Sequence, residues 1–504
     1  MRRLRSESGF TMVAVIVGMS VISLLVLATV TAVNGDVHLN RNDLNHKRAY
    51  EAAKAGIDDY AFHLAKDNNY WTYCTGVPSP NAVNQQGSTA KRRSVPGSTG
   101  ATYAIELLPA TGQSTCNASN PVGTMIEQGG QLNGTFRIRS TGYAGSTSVP
   151  ITATFKRSSF LDFMYFTQLE TSDPVTYGDP ATVAGAYTQC TLTYQQGRYN
   201  QAIPNSGGKF CNKIAFISGD AVNGPMHTND AYGICGSPTF GRSALDSIEA
   251  SASAPGWFSI CGGSNPIFAG TFTTSSPILT PPPSNAQLAT LTQSQFKFTG
   301  QVRICLNGST MTVGTGATCT GAYSGPIPSN GLVYIANGSC STTYTPFGVT
   351  YPSTSGCGNA YVRGSYTGQL TIAAENDIIV DGDVTNSGGG VLGLIANNFI
   401  RVYHPCTNGT NGAGSMTDPT IDAAIMTIDH SFIVDNYDCG ASLGALNVNG
   451  AIAQKFRGPV GTFGNSRTGY TKSYSYDDRL HYLEPPNFID PVQSSWTIGR
   501  ETIG

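Results

Sequence analysis

The sequence predicts a mainly β protein that begins with one long α-helix. Three observations predict this class. An uncharged apolar run near the N-terminus leads into a segment whose apolar residues recur at spacings of three and four. Three later runs alternate apolar and polar residues, and the remainder consists of short apolar runs separated by Gly, Asn and Asp. We expect a small antiparallel sheet after the helix, followed by a large β-solenoid-like domain, with a β-sandwich as the alternative.

The first element is an apolar helix behind a short basic leader. Arg2, Arg3 and Arg5 precede it, and the run from Val13 to Val33 carries no charge. A run of this length can span about 30 Å of hydrocarbon as a helix. The leader should stay in the cytoplasm, so the rest of the chain should face outward. No A-x-A-like cleavage site follows, as it would in an ordinary secretion signal.

Helical patterning continues beyond the apolar run. Apolar and small residues recur at Ala49, Ala52, Ala53, Gly56, Ile57, Tyr60, Ala61 and Leu64. Charged residues lie between them, so the pattern predicts an amphipathic helix. We expect a leader over residues 1–9 and one rod over residues 10–69, which is membrane-spanning at its start and half-packed at its end.

The region 70–157 is predicted to be a small β-meander. Residues 70–100 are polar and irregular, and strand-like runs follow at 101–108, 135–143 and 148–156. The alternation within these runs is typical of half-buried antiparallel strands.

Composition indicates an exported protein. The chain has 504 residues, of which 12% are charged, against about 25% in typical soluble domains. Its net charge is −2, which gives no electrostatic case for a nucleic-acid partner.

All twelve cysteines lie after the membrane segment, on the side predicted to face outward, and none forms C-x-x-C. Disulfides in an oxidising compartment are the natural interpretation, with buried free thiols as the alternative. Connectivity does not follow from sequence; pairing of consecutive cysteines is one possibility. Those pairs are Cys74–Cys116, Cys190–Cys211, Cys235–Cys261, Cys305–Cys319, Cys340–Cys357 and Cys406–Cys439.

Residues 158–504 are predicted to form the large β-rich domain. A weak repeat, V-[ND]-G-x-apolar, begins at Val222, Val380 and Val448. Each copy is predicted to be a strand end, a tight turn with positive φ, and a strand start. An aromatic tail with Pro485 and Pro486 is expected to wrap the domain.

The densest polar cluster holds Asp220, His227 and Asp230. These residue types could bind a metal or act as acid and base, but Asn and Asp at turns, with a locally bonded histidine, explain the cluster more simply. His404 and His430 match no metal-binding spacing, and no nucleophile, phosphate or metal motif is present. We therefore expect no catalytic residue, no metal and no cofactor.

The stretch Gly9-Phe10-Thr11-Met12, after a basic leader and before an apolar helix, resembles the class III signal of type IV pilins and type II secretion pseudopilins. The resemblance implies that a prepilin peptidase cuts between Gly9 and Phe10 and that the new N-terminal Phe10 is methylated. It also implies that the helix remains to form a filament core with other pilins. A helix followed by a small meander is the order of elements in that family.

One position departs from the family pattern. Major pilins carry Glu at the fifth mature position, which here is Ala14. An unpaired carboxylate in lipid is costly, so a subunit without a neighbour above it gains nothing from one. The departure favours a minor or tip subunit, although a plain membrane anchor needs no Glu either.

The sequence-based hypothesis is thus a minor, tip-located pilus or pseudopilus subunit. It would sit in the cytoplasmic membrane before assembly and display its β-rich domain at the cell surface for adhesion, recognition of an unknown surface ligand, or assembly priming. One alternative is a membrane-anchored enzyme acting on polysaccharide. The other is a plain anchored envelope protein unrelated to pili.

Overall fold

Helices and many short strands make up the chain in a computed structural model that describes residues 10–67, 70–72, 91–117, 119–127, 135–157, 159–177, 180–315, 318–341, 344, 356–462, 464, 466–481, 483–492 and 496–503. The α-helices are α1 (Phe10–Lys66), α2 (Pro121–Met125), α3 (Pro180–Cys190) and α4 (Ala286–Leu291). Short 3₁₀ helices span Tyr70–Thr72, Phe160–Asp162, Pro174–Tyr177, Ser294–Phe296 and Asp478–His481.

The strands are β1 (Arg93–Ser94), β2 (Ala101–Leu108), β3 (Thr135–Ala144), β4 (Thr147–Arg157), β5 (Tyr165–Ser172), β6 (Phe216–Ile217), β7 (Ala221–Asn223), β8 (Met226–Thr228), β9 (Tyr232–Cys235), β10 (Thr239–Phe240), β11 (Ser247–Ala250), β12 (Trp257–Ser259), β13 (Ile267–Phe268), β14 (Thr271–Thr274), β15 (Lys297–Thr299), β16 (Val302–Gly308), β17 (Thr310–Thr315), β18 (Gly321–Pro326), β19 (Leu332–Ala336), β20 (Ala360–Tyr366), β21 (Leu370–Ala374), β22 (Ile378–Asn386), β23 (Leu392–Ala396), β24 (Ile400–Val402), β25 (Cys406–Thr407), β26 (Thr410–Asn411), β27 (Thr420–Thr427), β28 (Phe432–Val434), β29 (Ser442–Arg457), β30 (Gly461–Thr462), β31 (Thr468–Tyr476) and β32 (Trp496–Ile503). The predicted class, mainly β with an N-terminal helix and a small antiparallel sheet, is confirmed.

The chain divides into two compact units. The N-terminal unit comprises the described residues within 1–128, 134–157 and 495–504. The β-rich unit comprises those within 158–494. Each unit has its own buried core.

Helix α1 is continuous through the position where the sequence carries Asn34-Gly35. It has 57 residues, which corresponds to a length of about 85 Å at 1.5 Å per residue. Its basic last turn, with His63 and Lys66, is favourable beside the negative end of the helix dipole. The predicted rod over 10–69 is therefore one helix that ends at Lys66.

The sheet of the N-terminal unit is antiparallel and, within the described residues, has the order β1-β2-β3-β4-β32. All three runs predicted to be strands are present, as β2, β3 and β4. Their inward side chains, such as Phe136, Ile138 and Phe155, are buried against Ile57 and Tyr60 of α1. The apolar face of the amphipathic part of α1 therefore packs against one face of this sheet.

Helix α1 approaches β3 closely at Gly142. A Cβ atom at Gly142 would lie 1.9 Å from the carbonyl oxygen of Ala49 and 2.4 Å from the amide nitrogen of Ala53. Both are backbone atoms of the helix and cannot move aside as a flexible side chain can. The small residues of α1 and β3 thus set the distance between helix and sheet.

The C-terminal strand corrects the predicted domain limits. We expected residues 158–504 to form one domain, but β32 pairs antiparallel with β4, from Trp496 opposite Arg157 to Ile503 opposite Ile151. The Trp496 ring packs edge-on against Phe136, with centroids 4.7 Å apart. The chain end therefore belongs to the N-terminal unit, because its pairing partner lies far away in the sequence.

The strands of the β-rich unit are stacked mainly in parallel. Among the described residues one ladder runs in the order β14-β11-β8-β5-β29-β27-β23-β21-β19-β15, and every neighbouring pair is parallel. A second ladder runs in the order β13-β10-β7-β31-β29-β27-β22-β20-β16, also parallel. Apolar side chains fill the interior, for example Met226, Tyr165, Ile452 and Ile425, which occupy successive rungs.

One layer of this stack is built from both ends of the unit. Strand β5, the first of the unit, lies between β29 and β8. Strand β31, close to its end, lies between β29 and β7. The two strands occupy the same level of the stack, which we call the shared layer. The chain thus enters the stack at its middle, not at one end.

Two of the repeated V-[ND]-G segments, at 222–226 and 448–452, lie where the chain passes from one ladder to the other. Val222 and Val448 both pair with Tyr474, and the fifth residues of these copies, Met226 and Ile452, both pair with Tyr165. The copy at 222–226 separates β7 from β8, as predicted, but the positive φ predicted for its turn is wrong, since neither Asn223 nor Gly224 has one. The prediction of a turn between two strands is wrong for 380–384 and 448–452, because these segments lie inside the continuous strands β22 and β29.

Buried charges fasten β5 in the shared layer. The Asp230 carboxylate pairs with the guanidinium of Arg198, and it also accepts a hydrogen bond from the Glu170 amide at 3.0 Å. Burial lowers the pKa of Arg198, but the Asp230 carboxylate outweighs it and raises that pKa above its ordinary value. Glu170 also contacts Arg457, with Oε2 and Nη1 3.1 Å apart, and burial raises the pKa of Glu170 despite this contact.

Residues 486–492 of the aromatic tail lie across strands of the β-rich unit. The Thr371 hydroxyl donates to the carbonyl of Pro486 at 2.5 Å, and Phe488 packs beside Gly393. The Val492 amide donates to the carbonyl of Thr280 at 2.8 Å. The tail therefore crosses successive strands before the chain returns to the N-terminal unit.

We expect Gly142→Val to destabilise the N-terminal unit by at least about 1–3 kcal/mol, because the new side chain would overlap the backbone of α1. The matched control is Gly499→Ala in β32 of the same sheet, where the nearest atoms lie 3.9 Å from an added Cβ. Thermal unfolding followed by tryptophan fluorescence measures the effect, since Trp71 and Trp496 lie in this unit's core. Equal melting temperatures of the two variants would contradict the packing described.

We expect Asp230→Asn to lower the free energy of unfolding by about 3–5 kcal/mol, because Arg198 would stay buried without its counter-ion. The matched control is Asp429→Asn. Its partner Lys455 lies 3.5 Å away and both side chains are partly exposed, so the loss should stay below about 1 kcal/mol. Urea unfolding of the full chain in detergent, followed by circular dichroism, compares them. A loss for Asp230→Asn no larger than the control's would refute the role of this pair.

Candidate functional site

The first candidate is the exposed start of α1. Between Met12 and Val30 the helix has a mean hydropathy of 2.7, and none of these 19 residues is buried. Large apolar side chains such as Val13 and Leu24 are 60% and 65% exposed. This segment is long and apolar enough to cross a membrane, so it is a candidate anchor, although a secretion signal passes the same test.

The two parts of α1 differ in what covers them. Ala49, Ala53, Ile57 and Leu64 are buried against the sheet of the N-terminal unit. The stretch from Met12 to Val30 is instead apolar on every face, which is the pattern of a helix made to be surrounded by lipid or by other helices. The helix can therefore place one end in an apolar phase while its other end belongs to a folded domain.

The structure places the predicted processing and helix residues as follows. Gly9 lies outside the described residues, and α1 begins at Phe10. Ala14 is exposed on the apolar segment. Val33 lies in the helix backbone, and its side chain is not among those described.

The cluster of Asp220, His227 and Asp230 does not converge on one point. The Asp220 carboxylate contacts Lys472 Nζ at 2.8 Å. The Nδ1 and Nε2 atoms of His227 lie 2.9 Å from Glu249 Oε2 and 3.1 Å from Asn229 Oδ1, so neither ring nitrogen is free to bind a metal. Asp230 belongs to the buried pair with Arg198. Each side chain is held by its own structural partner.

The other histidines considered from the sequence are also engaged locally. His404 Nδ1 lies 2.9 Å from the carbonyl oxygen of Asp435, and its Nε2 lies 3.1 Å from Asn411 Oδ1. His430 Nδ1 lies 3.1 Å from a carboxylate oxygen of Asp173. The two rings bind different segments and do not form a pair.

Disulfides connect neighbouring segments of the β-rich unit. The pairs within the described residues are Cys190–Cys211, Cys235–Cys261, Cys305–Cys319, Cys340–Cys357 and Cys406–Cys439. Each joins cysteines that are consecutive in the sequence, which is the pairing considered above. The remaining pair, Cys74–Cys116, involves Cys74, which lies outside the described residues.

A cavity of about 350 Å³ with several charged groups in its wall lies beside the shared layer, and it was not predicted from the sequence. It is lined mainly by two segments, 212–220 and 458–472. Lys213, Asp220, Arg467 and Lys472 contribute charged groups to its wall. No sequence motif could have revealed it, because the two segments are brought together only when β31 pairs with β7.

No protein-family model and no curated protein sequence matches this chain. Among solved structures, the chain is similar to the competence-associated pilin ComZ from Thermus thermophilus, with 11% sequence identity. The match covers 92% of this chain and 98% of that one, with a TM-score of 0.27. A TM-score of this size is too low to carry a structural or functional argument.

Proposed function

We propose that this chain is a minor, tip-located subunit of a type IV pilus or of a related secretion pseudopilus. It displays the β-rich unit outward for adhesion, surface recognition or assembly priming, and it acts by binding and assembly without catalysis. The observation that carries the proposal is the uncovered apolar segment from Met12 to Val30, directly behind Gly9-Phe10-Thr11-Met12 and continuous with a helix that packs into a folded domain.

Leaving this apolar segment in water is unfavourable. Burying apolar surface is favourable by roughly 25 cal/mol per Å², and each large side chain contributes about 1.5–3 kcal/mol when it is fully buried. A helix that is apolar all round gains this only in lipid or among other apolar helices. The membrane before assembly and the helices of neighbouring pilins after assembly supply the two environments in turn.

Ala14 supports a tip position over a position along the filament. The residue is exposed on the apolar segment and carries no charge. A carboxylate there would be costly in lipid unless a neighbouring subunit's amine compensated it. A subunit that has no neighbour above it has no such amine to meet.

The partners follow from the same segment. A prepilin peptidase would cut between Gly9 and Phe10, and other pilins or pseudopilins would surround the helix. The basic leader favours a cytoplasmic N-terminus, with the two folded units on the outer side of the cytoplasmic membrane. The disulfides of the β-rich unit support an oxidising compartment for that part of the chain.

For the β-rich unit the architecture we propose is a β-solenoid. Strands of successive chain segments stack in parallel in two ladders that share β27 and β29. Sandwich domains are built from antiparallel sheets, whereas stacked coils give parallel ladders. Such a stack offers long faces for recognition, which fits an outward-facing role.

We expect the mature protein from its native membrane to begin at Phe10 and to carry one added methyl group when an active prepilin peptidase is present. Intact-mass and N-terminal peptide mass spectrometry measure this directly. Gly9→Val should block the cut and leave Met1 in place. The matched control, Gly18→Val, changes a glycine within the helix where an added Cβ meets no atom within 4 Å, so processing should persist.

A wild-type chain that still begins at Met1 while the peptidase is active would refute the pilin pathway. It would leave a plain anchored envelope protein, or an anchored enzyme, whose activity has to be sought in the β-rich unit.

A further inference from the structure

The cavity beside the shared layer is lined by positively charged side chains from two segments of the chain. The hairpin of β30 and β31, paired through Gly461 with Gly469 and Thr462 with Thr468, carries Arg467 to one wall. Lys213, just ahead of β6, stands on another wall, with its Nζ 5.3 Å from the Tyr199 ring centroid. Lys472 reaches the cavity from β31 itself.

Positive charge exceeds negative charge around this cavity. Lys472 pairs with Asp220 at 2.8 Å, and Arg457 behind it pairs with Glu170. Within the part of the chain that the structure describes, neither Lys213 nor Arg467 forms an ion pair. Two cations therefore remain without counter-ions at the cavity, which is the electrostatic condition for binding an anion.

Lys472 lies deep enough to sense a bound charge. Burial lowers its pKa, and the nearby charge of Arg457 lowers it further, while Asp220 opposes both. The ammonium group of Lys472 is thus largely shielded from solvent and lies near a second buried cation, Arg457. An anion placed in the cavity would offset the repulsion between these two groups.

The remaining lining is suited to a sugar. Tyr437 and Tyr470 form aromatic parts of the wall, and the Tyr470 hydroxyl is fixed by donating to the Met416 carbonyl at 2.7 Å. Ser172, Asn212 and Thr462 add hydroxyl and amide groups that can bond to sugar hydroxyls. The volume of about 350 Å³ lies in the range of small-ligand sites, roughly 300–1,000 Å³.

We propose that this cavity binds an acidic sugar, with its carboxylate between Lys213, Arg467 and Lys472 and its ring between Tyr437 and Tyr470. The inference rests on the proposed function, because it gives a ligand class to the surface that the β-rich unit recognises. An oxyanion could also come from free phosphate, so the test separates the two sources.

The test is isothermal titration calorimetry on the full chain in detergent micelles, with glucuronate, glucose and inorganic phosphate as probes. We expect glucuronate to bind at least about tenfold more tightly than glucose or phosphate, and to weaken as salt is added. The double variant Lys213→Glu/Arg467→Glu should weaken glucuronate binding by about tenfold or more, because two attractions become repulsions. Both residues are exposed, so the fold should persist, which circular dichroism verifies.

The matched control is Lys297→Glu, an exposed lysine in β15 that does not line the cavity, and it should bind glucuronate as the wild type does. Phosphate that binds as tightly as glucuronate would overturn the sugar assignment. Failure of all three probes to bind, or equal weakening by the double variant and the control, would overturn the site itself. N-terminal processing at Phe10 is measured separately, so the failure of this proposal and the failure of the pilin pathway are distinguishable.

Discussion

The β-rich unit depends on one constraint, which is that its first strand and one of its last strands share a layer. Strand β29 spans both partners, because residues 442–450 pair with β31 and residues 452–457 pair with β5. On the other side of the layer, β31 pairs with β7 and β5 pairs with β8. A parallel stack cannot leave a rung empty without exposing both neighbouring ladders of backbone groups. The stack is therefore complete only when both ends of the unit are in place.

The same constraint brings together the charged residues that form buried ion pairs in this unit. Because β31 pairs with β7, Lys472 lies beside Asp220 although 252 positions separate them in the sequence. Because β5 sits between β29 and β8, Glu170 meets Arg457, and Asp230 accepts a hydrogen bond from the Glu170 amide. Buried pairs of this kind add little net stability but penalise their own disruption strongly. They specify which strands close the layer, and the cavity lies next to them.

These relations explain which features the sequence could predict. Helix α1 and strands β2, β3 and β4 were predictable because periodicity of 3.6 or 2 is a local property. The place of β32 was not, because its partner β4 is remote in the sequence and the aromatic tail lies between them. Asp220, His227 and Asp230 are close in sequence and therefore suggested one site. Their actual partners, Lys472, Glu249 and Arg198, come from three other segments, which a single sequence does not reveal.

The return of β32 to the first sheet matters for a protein that displays a domain. The β-rich unit is inserted between β4 and β32, so two strands connect it to the N-terminal unit, and these strands are paired neighbours with Arg157 opposite Trp496 at the junction. A force on the β-rich unit would therefore reach the sheet that α1 covers through the same end of both strands. Lys54 of α1, with Nζ 2.6 Å from Glu501 Oε2 of β32, ties this last strand to the helix. The apolar segment of that helix is the part proposed to hold the subunit in the membrane or the filament. A force on the β-rich unit would therefore be transmitted through β4, β32 and their sheet to the helix that anchors the subunit.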